Sequence, residues 1–156
     1  MKTKTSWQKV SRWYGKLVSD EGSYYHQRVI FPALLPLMNC QSGDRVLDLA
    51  CGQGVLARQL PPKVHYHGLD VSKSLIDQAT DLSKSSEHHY TVQDITQKIE
   101  IQGSFSHITV ILALQNLAKL APVFKQAFEL LDEDGGFYLV LNHPCFRIPK
   151  NSSWLI

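Results

Sequence analysis

The stretch Val46-Leu-Asp-Leu-Ala-Cys-Gly-Gln-Gly-Val-Leu-Ala-Arg-Gln-Leu60 limits the fold more than any other part of the 156-residue chain. Val46, Leu47 and Leu49 form a short apolar run, the pattern of a parallel strand covered on both faces. Val55, Leu56, Ala57 and Leu60 then recur at helical spacing. Gly52 and Gly54 stand between the two patterns. Glycine reaches positive φ without steric strain and leaves bare backbone for a ligand, and a helix start offers unpaired N–H groups. A strand, a glycine turn and a helix in that order are expected to form a small-molecule site.

The acidic residue of this stretch narrows the ligand. Asp48 falls at the carboxyl end of the strand, where open α/β sheets bind their ligands, so its charge is expected to face the crevice. It would repel a pyrophosphate. The dinucleotide pattern G-x-G-x-x-G is met by Gly52-Gln-Gly54-Val-Leu-Ala57 only with alanine in third place. A ligand carrying an ammonium and a sulfonium would instead be drawn to Asp48 across a partly dry cleft, and S-adenosylmethionine is such a ligand. Val64 to Leu69 reads as a second strand ending at Asp70, twenty-two residues after Asp48. Doubly wound nucleotide folds place a carboxylate there to accept from ribose hydroxyls. That spacing serves NAD equally, so Asp70 points to a nucleoside rather than to a methyl donor in particular.

The α/β alternation continues along the chain. Ser72 to Leu82 has a cap candidate in Ser72 or Ser74, and Leu75, Ile76, Ala79 and Leu82 follow at three- and four-residue intervals. His89 to Gln93 is strand-like and precedes Asp94, and Ile108 to Leu114 is a near-continuous apolar run for a central strand. Pro122 suits the first turn of a helix with Val123, Phe124, Ala127, Phe128 and Leu131 on one face. Gly135 and Gly136 are expected to stop it, and Phe137 to Leu141 to form the fifth strand.

Four segments in order carry a family likeness: Asp48-Leu-Ala-Cys-Gly-Gln-Gly54, Gly68-Leu-Asp70-Val-Ser, Val92-Gln-Asp94-Ile, and Leu131-Asp-Glu-Asp-Gly-Gly136-Phe-Tyr-Leu-Val-Leu. Each is placed at the end of an expected strand. The chain resembles the class I S-adenosylmethionine-dependent methyltransferases from about residue 40 to about residue 145. The resemblance implies an α/β fold with a doubly wound, Rossmann-like, mostly parallel sheet and flanking helices. It implies S-adenosylmethionine as cofactor, held by Asp48, Ala50, Gly52, Gly54, Asp70, Val71, Asp94, Ile95 and Leu112. In that family the acidic residue at Asp94 accepts from the adenine amino group, and its neighbour, here Ile95, packs on the ring.

Two departures from the family pattern carry consequences. Many relatives have a Phe-Asp pair before the fourth strand, where this chain has Phe105-Ser106. The family also closes its sheet with two strands after the fifth, and Pro144 to Ile156 cannot supply two strands and a helix. The chain is therefore expected to be a fragment, or to have its sheet edge completed by another copy or another chain. The fragment is favoured, because an uncovered strand in an apolar sheet is an aggregation hazard.

Residues 1–41 are expected to form an N-terminal helical cap, and 42–156 the S-adenosylmethionine-binding, Rossmann-like domain. Trp7, Val10, Tyr14 and Leu17 recur on one helical face, and Ser23 to Met38 is a second helix candidate interrupted by Pro32 and Pro36. In the resembling enzymes such a segment folds over the donor and shapes the acceptor pocket. That makes Tyr24, Tyr25 and His26 candidate substrate contacts, with packing of the cap onto the sheet as the other account of these rings.

Cys40, Cys51 and Cys145 contain no C-x-x-C pair, and the seven histidines show no ligand spacing, so neither a disulfide framework nor a metal site is expected. No apolar stretch is long enough to span a bilayer and no signal region follows the first lysines, so a soluble, cytoplasmic protein is expected. With a formal charge of +2 and scattered basic residues, nucleic acid is not indicated as a partner. A small-molecule acceptor is favoured, or a protein side chain. A sulfonium methyl is already activated, so the protein has mainly to align the acceptor. Asn142 and His143, following the fifth strand, are candidate catalytic residues that orient or deprotonate it; a polar turn stiffened by Pro144 is the other account. A methyltransferase is the expected function, and the alternative is a noncatalytic methyltransferase-like domain that stabilises another subunit.

Overall fold

The computed structural model describes residues 22–143; the helix expected around Trp7 to Leu17 lies outside them, as does Pro144 to Ile156. Five strands form one parallel sheet: β1 Arg45–Leu49, β2 His65–Asp70, β3 His88–Val92, β4 Phe105–Ile111 and β5 Leu131–Val140. Their order is β3-β2-β1-β4-β5. This is doubly wound connectivity, in which the direction of winding reverses between β1 and β4 and opens a crevice at their carboxyl ends. Among the described residues, three α-helices flank the sheet: α1 Phe31–Met38, α2 Lys73–Leu82 and α3 Ala121–Leu130.

Side chains alternate across a strand, so β1 divides its apolar residues between two cores. Val46 packs in a cluster with Ile30, Phe31, Leu34 and Met38 of the α1 segment, Tyr66 of β2 and Ile76 of α2. Leu47 and Leu49 join Ile108, Val110, Val123 and Ala127 on the other face, under α3. Asp48 therefore shares a face with Val46 and Tyr66. Because β1 is covered on both sides, the carboxylate is buried rather than projected into water.

Three elements differ from expectation. The sequence from Tyr24 to Met38 is helical throughout, with a π-helical turn at His26–Ile30 leading into α1. Pro32 falls in the first turn of α1, where a missing N–H leaves no bond unmade, and Pro36 falls only two residues before the helix ends. The helix expected after the glycine turn is reduced to one 3₁₀ turn, Ala57–Gln59. Pro61 follows Leu60 and holds it extended at ψ 151°, which leaves too few residues for an α-helix. Gly135 and Gly136 do not end α3, which stops at Leu130; both lie inside β5. Phe105 pairs with Leu131 but His107 pairs with Gly136, so Asp132 to Gly135 bulge from the ladder.

Candidate functional site

The crevice at the carboxyl ends of β1 and β4 is a small cleft, partly open to solvent. Asp48, Ala50, Cys51 and Gly52 line it from the β1 end, Val55 and Leu56 from the turn that follows, Ile111 from β4, and His26 and Phe31 from the amino-terminal segment. Ala50 and Leu112, which end the two strands flanking the switch point, both adopt left-handed backbone, with φ 63° and 53°. Such conformations in residues with a Cβ are strained and persist where surrounding structure enforces them, often at functional sites. Here the Leu112 N–H is held by the Val140 carbonyl at 2.8 Å.

Asp48 is 3% exposed and clamped from both neighbouring strands. The Tyr66 hydroxyl donates to Oδ2 at 2.7 Å and the Thr109 hydroxyl to Oδ1 at 2.8 Å. Burial nevertheless pushes its carboxyl up to about 6; the two hydroxyls oppose this and the charge of Asp70 adds to it. Asp70 ends β2 beside it. The Gly52 N–H donates to Asp70 Oδ2 at 3.0 Å and the Ser72 N–H to Oδ1 at 2.8 Å. Burial raises the Asp70 carboxyl too, with the amides of Ser72, Gly52 and Val71 pulling the other way. Two crowded carboxylates at adjacent strand ends make a site that favours a cation.

The glycine turn works differently from expectation. Gly52 and Gly54 do take positive φ, 57° and 71°. The Gly52 N–H is spent on Asp70, however, and the space where Gly54 would carry a Cβ is filled by the Tyr90 ring, with atoms 2.7–3.0 Å from that position. Gly54 is required by a packed side chain of β3, not by bare approach of a ligand. Only a 3₁₀ turn follows, so no α-helix N-terminus faces the site from this segment.

The remaining expected residues divide. His26 is buried and lines the cleft, with its Nδ1 accepting from the Ser23 N–H at 3.3 Å and 2.9 Å from the Ser23 hydroxyl. Tyr24 and Tyr25 are 72% and 62% exposed and lie outside the cleft lining. Asp94 follows β3, and its Oδ1 accepts from the N–H and hydroxyl of Thr96 at 2.9 and 2.7 Å. Ile95 is 4% exposed within the α3-side core, so its side chain is committed to packing rather than offered to a ring. Asn142 and His143 are exposed just beyond β5, two strands from β1, and are not part of the cleft lining. Tyr66, Thr109 and Tyr90 were not singled out from sequence. Thr109 had a signal, as a hydroxyl inside the apolar run from Ile108 to Leu114.

The strand order, the crevice and its paired carboxylates define a class I, Rossmann-like methyltransferase domain. The chain belongs to the methyltransferase-domain family, whose model matches residues 40–149. No curated protein matches it. Among solved structures it is similar to an S-adenosylmethionine-dependent methyltransferase from Mesorhizobium loti at 26% identity and TM-score 0.72, over 81% of this chain and 59% of that one. It shares its fold with a methyltransferase in complex with the Haloferax volcanii Trm112 activator, at 19% identity and TM-score 0.74, over 88% and 60% of the two chains. It also shares the fold of Haemonchus contortus phosphoethanolamine N-methyltransferase 2, solved with S-adenosyl-L-methionine, at 19% identity and TM-score 0.71, over 88% and 36%. The chain thus spans less than two thirds of each of these proteins. Among the described residues no helix is long and apolar enough to cross a membrane.

Proposed function

We propose that this chain binds S-adenosylmethionine in the cleft at the β1–β4 switch point and transfers its methyl group to an acceptor, a small molecule in the favoured case. The observation that carries the reading is the pair Asp48 and Asp70, two buried carboxylates at adjacent strand ends whose acidity is weakened by burial and by Asp70's charge acting on Asp48. A ligand with a sulfonium and an ammonium relieves that crowding, whereas a pyrophosphate worsens it. The similarity to the Mesorhizobium loti enzyme supports the same donor.

The residues fit the rest of the donor as follows. Asp70 already accepts from the backbone amides of Gly52, Ser72 and Val71, and a carboxylate offers about four acceptor positions, so it keeps room to accept from a ribose hydroxyl. Asp94 keeps Oδ2 for an adenine amino group, while buried Ile95 anchors the turn that presents it. Ala50, Gly52, Gly54, Val71 and Leu112 shape the backbone around these groups. When bound, the donor supplies an activated methyl group, and the protein has to align an acceptor and keep water out. His26 accepts the Ser23 N–H at Nδ1, so the neutral ring carries its proton on Nε2 and acts as a hydrogen-bond donor. Burial lowers its pKa, which favours the neutral ring. Asn142 and His143 sit on the outer rim, where they meet an acceptor that extends from the cleft. Turnover of an identified acceptor should fall in an Asn142→Ala/His143→Ala double variant, and unaltered turnover removes both from the mechanism.

A second reading is favoured by one surface. Phe128 of α3 is 84% exposed and Leu141, just after β5, is 53% exposed, beside the edge strand. A further copy or another chain completing that edge would cover them, and a noncatalytic domain that stabilises a second subunit would present such a face. Titration calorimetry with S-adenosylmethionine, S-adenosylhomocysteine and NAD separates the readings. Micromolar binding of the two adenosyl ligands and none of NAD is expected. Silence towards all three, or a preference for NAD, overturns the donor assignment.

A further inference from the structure

At the end of the sheet opposite the cleft, three side chains of different donor chemistry converge. Cys40 follows α1, Asp44 immediately precedes β1, and His107 is near the start of β4. His107 Nε2 lies 3.1 Å from Asp44 Oδ2, and one ligand atom from each of Cys40, Asp44 and His107 lies within 4.8 Å of the others. We propose that these three side chains bind a divalent cation of the zinc class, as a clip that ties the end of α1 to β1 and β4. This inference stands independently of the methyl-transfer reading.

The chemistry selects the ion. Ligands bind deprotonated, so a Cys40 thiolate, the Asp44 carboxylate and a neutral His107 imidazole together balance a 2+ charge. A sulfur and an imidazole nitrogen beside one oxygen suit zinc, while magnesium and calcium require oxygen ligands throughout. Three protein ligands leave a fourth tetrahedral position for water, and the cluster is partly accessible, which provides entry.

The donors are also held in place before any ion arrives. Asn39 takes left-handed backbone at φ 47° and turns the chain back after α1, which brings Cys40 towards the sheet. The Gln41 N–H donates to Asp44 Oδ2 at 2.7 Å, closing the turn that carries both ligands. His107 projects from a paired strand, its side chain only 12% exposed, with the Tyr138 ring centred 5.8 Å away. Its Nδ1 is buried without a hydrogen-bond partner among the described residues. Second-shell bonds to ligating histidines are worth 10–100-fold in metal affinity, so this site should bind zinc more weakly by about that factor than one whose histidine is held from behind. Its function is mechanical. The segment leading into α1 carries His26 and Phe31 into the cleft, and a clip at the far end of that helix limits its movement over the sheet.

The test titrates the chelator-treated full chain with Co²⁺ and then Zn²⁺. One equivalent of cobalt should give a thiolate-to-metal charge-transfer band in the near ultraviolet, and zinc should abolish it. The band should be lost in Cys40→Ser and His107→Gln and kept in Cys145→Ser. A folded wild-type chain without the band, or a band unchanged in folded Cys40→Ser, overturns the proposal. Should either ligand variant fail to fold, wild-type protein alone decides: zinc should slow alkylation of Cys40 at least tenfold and leave Cys145 unaffected. An unchanged Cys40 rate overturns the proposal equally.

Discussion

Asp48 sets folding against ligand capture in a way that can be measured. Its carboxyl titrates near pH 6 in the fold, against an ordinary value of 3.8. At about 1.36 kcal/mol per pH unit, the ionised group lowers stability by about 3 kcal/mol at neutral pH. The folded pKa is the higher one, so the native state binds the proton more tightly than the unfolded chain. Stability from this group is therefore greatest at low pH, declines between about pH 4 and pH 6, and is level above that window. Urea denaturation of wild type and Asp48→Asn cancels the titrating groups that do not interact with Asp48, leaving its own contribution and its coupling to Asp70. Between about pH 4.5 and 7.5, the stability difference should move by roughly 2 kcal/mol in favour of the variant. The variant should at the same time lose affinity for a cationic donor, and wild-type affinity should fall about tenfold per unit below pH 6. Parallel stability curves, or a difference that moves the other way, would refute the reasoning. They would mean that Tyr66 and Thr109 hold the carboxylate ionised without strain.

Asp70→Ala removes a charged acceptor and should weaken adenosyl-ligand binding by about 1.5–3 kcal/mol in calorimetry; an unchanged affinity would place Asp70 outside the site. Tyr66→Phe deletes a donor to Asp48 and should lower stability by about 1–3 kcal/mol at pH 7.5 and by less at pH 5, where the carboxyl is mostly protonated. An equal loss at both values would show that the hydroxyl does not act through the charge. Gly54→Ala places a methyl group against the Tyr90 ring at φ 71° and should lower stability by roughly 1–3 kcal/mol. Adding Tyr90→Ala should recover part of that loss, and strictly additive effects would exclude the ring contact.

What local chemistry encodes was legible in the chain itself. The strands around Leu47, Leu69, Thr91, Val110 and Leu139 announce themselves by short apolar or β-branched runs, and the carboxylates Asp48, Asp70 and Asp94 are readable as strand-end residues from where those runs stop. The family likeness rests on the same order. The apolar spacing from Val55 to Leu60 predicts a helix after Gly54, whereas Pro61 limits it to a 3₁₀ turn.

Strand order decided the rest, because it sets which distant residues meet. Placing β1 between β2 and β4 brings Tyr66 and Thr109 onto Asp48, partners 18 and 61 residues away, and turns an expected open charge into a clamped and partly neutralised one. Placing β3 beside β2 carries Tyr90 onto Gly54 and gives that glycine its reason. The pairing of β1 with β4 also joins Asp44 to His107 across 63 residues, where no linear spacing could suggest a common ligand set. Periodicity and turn chemistry act over a few residues and survive in the sequence, whereas burial, field and coordination depend on neighbours that only the folded sheet selects.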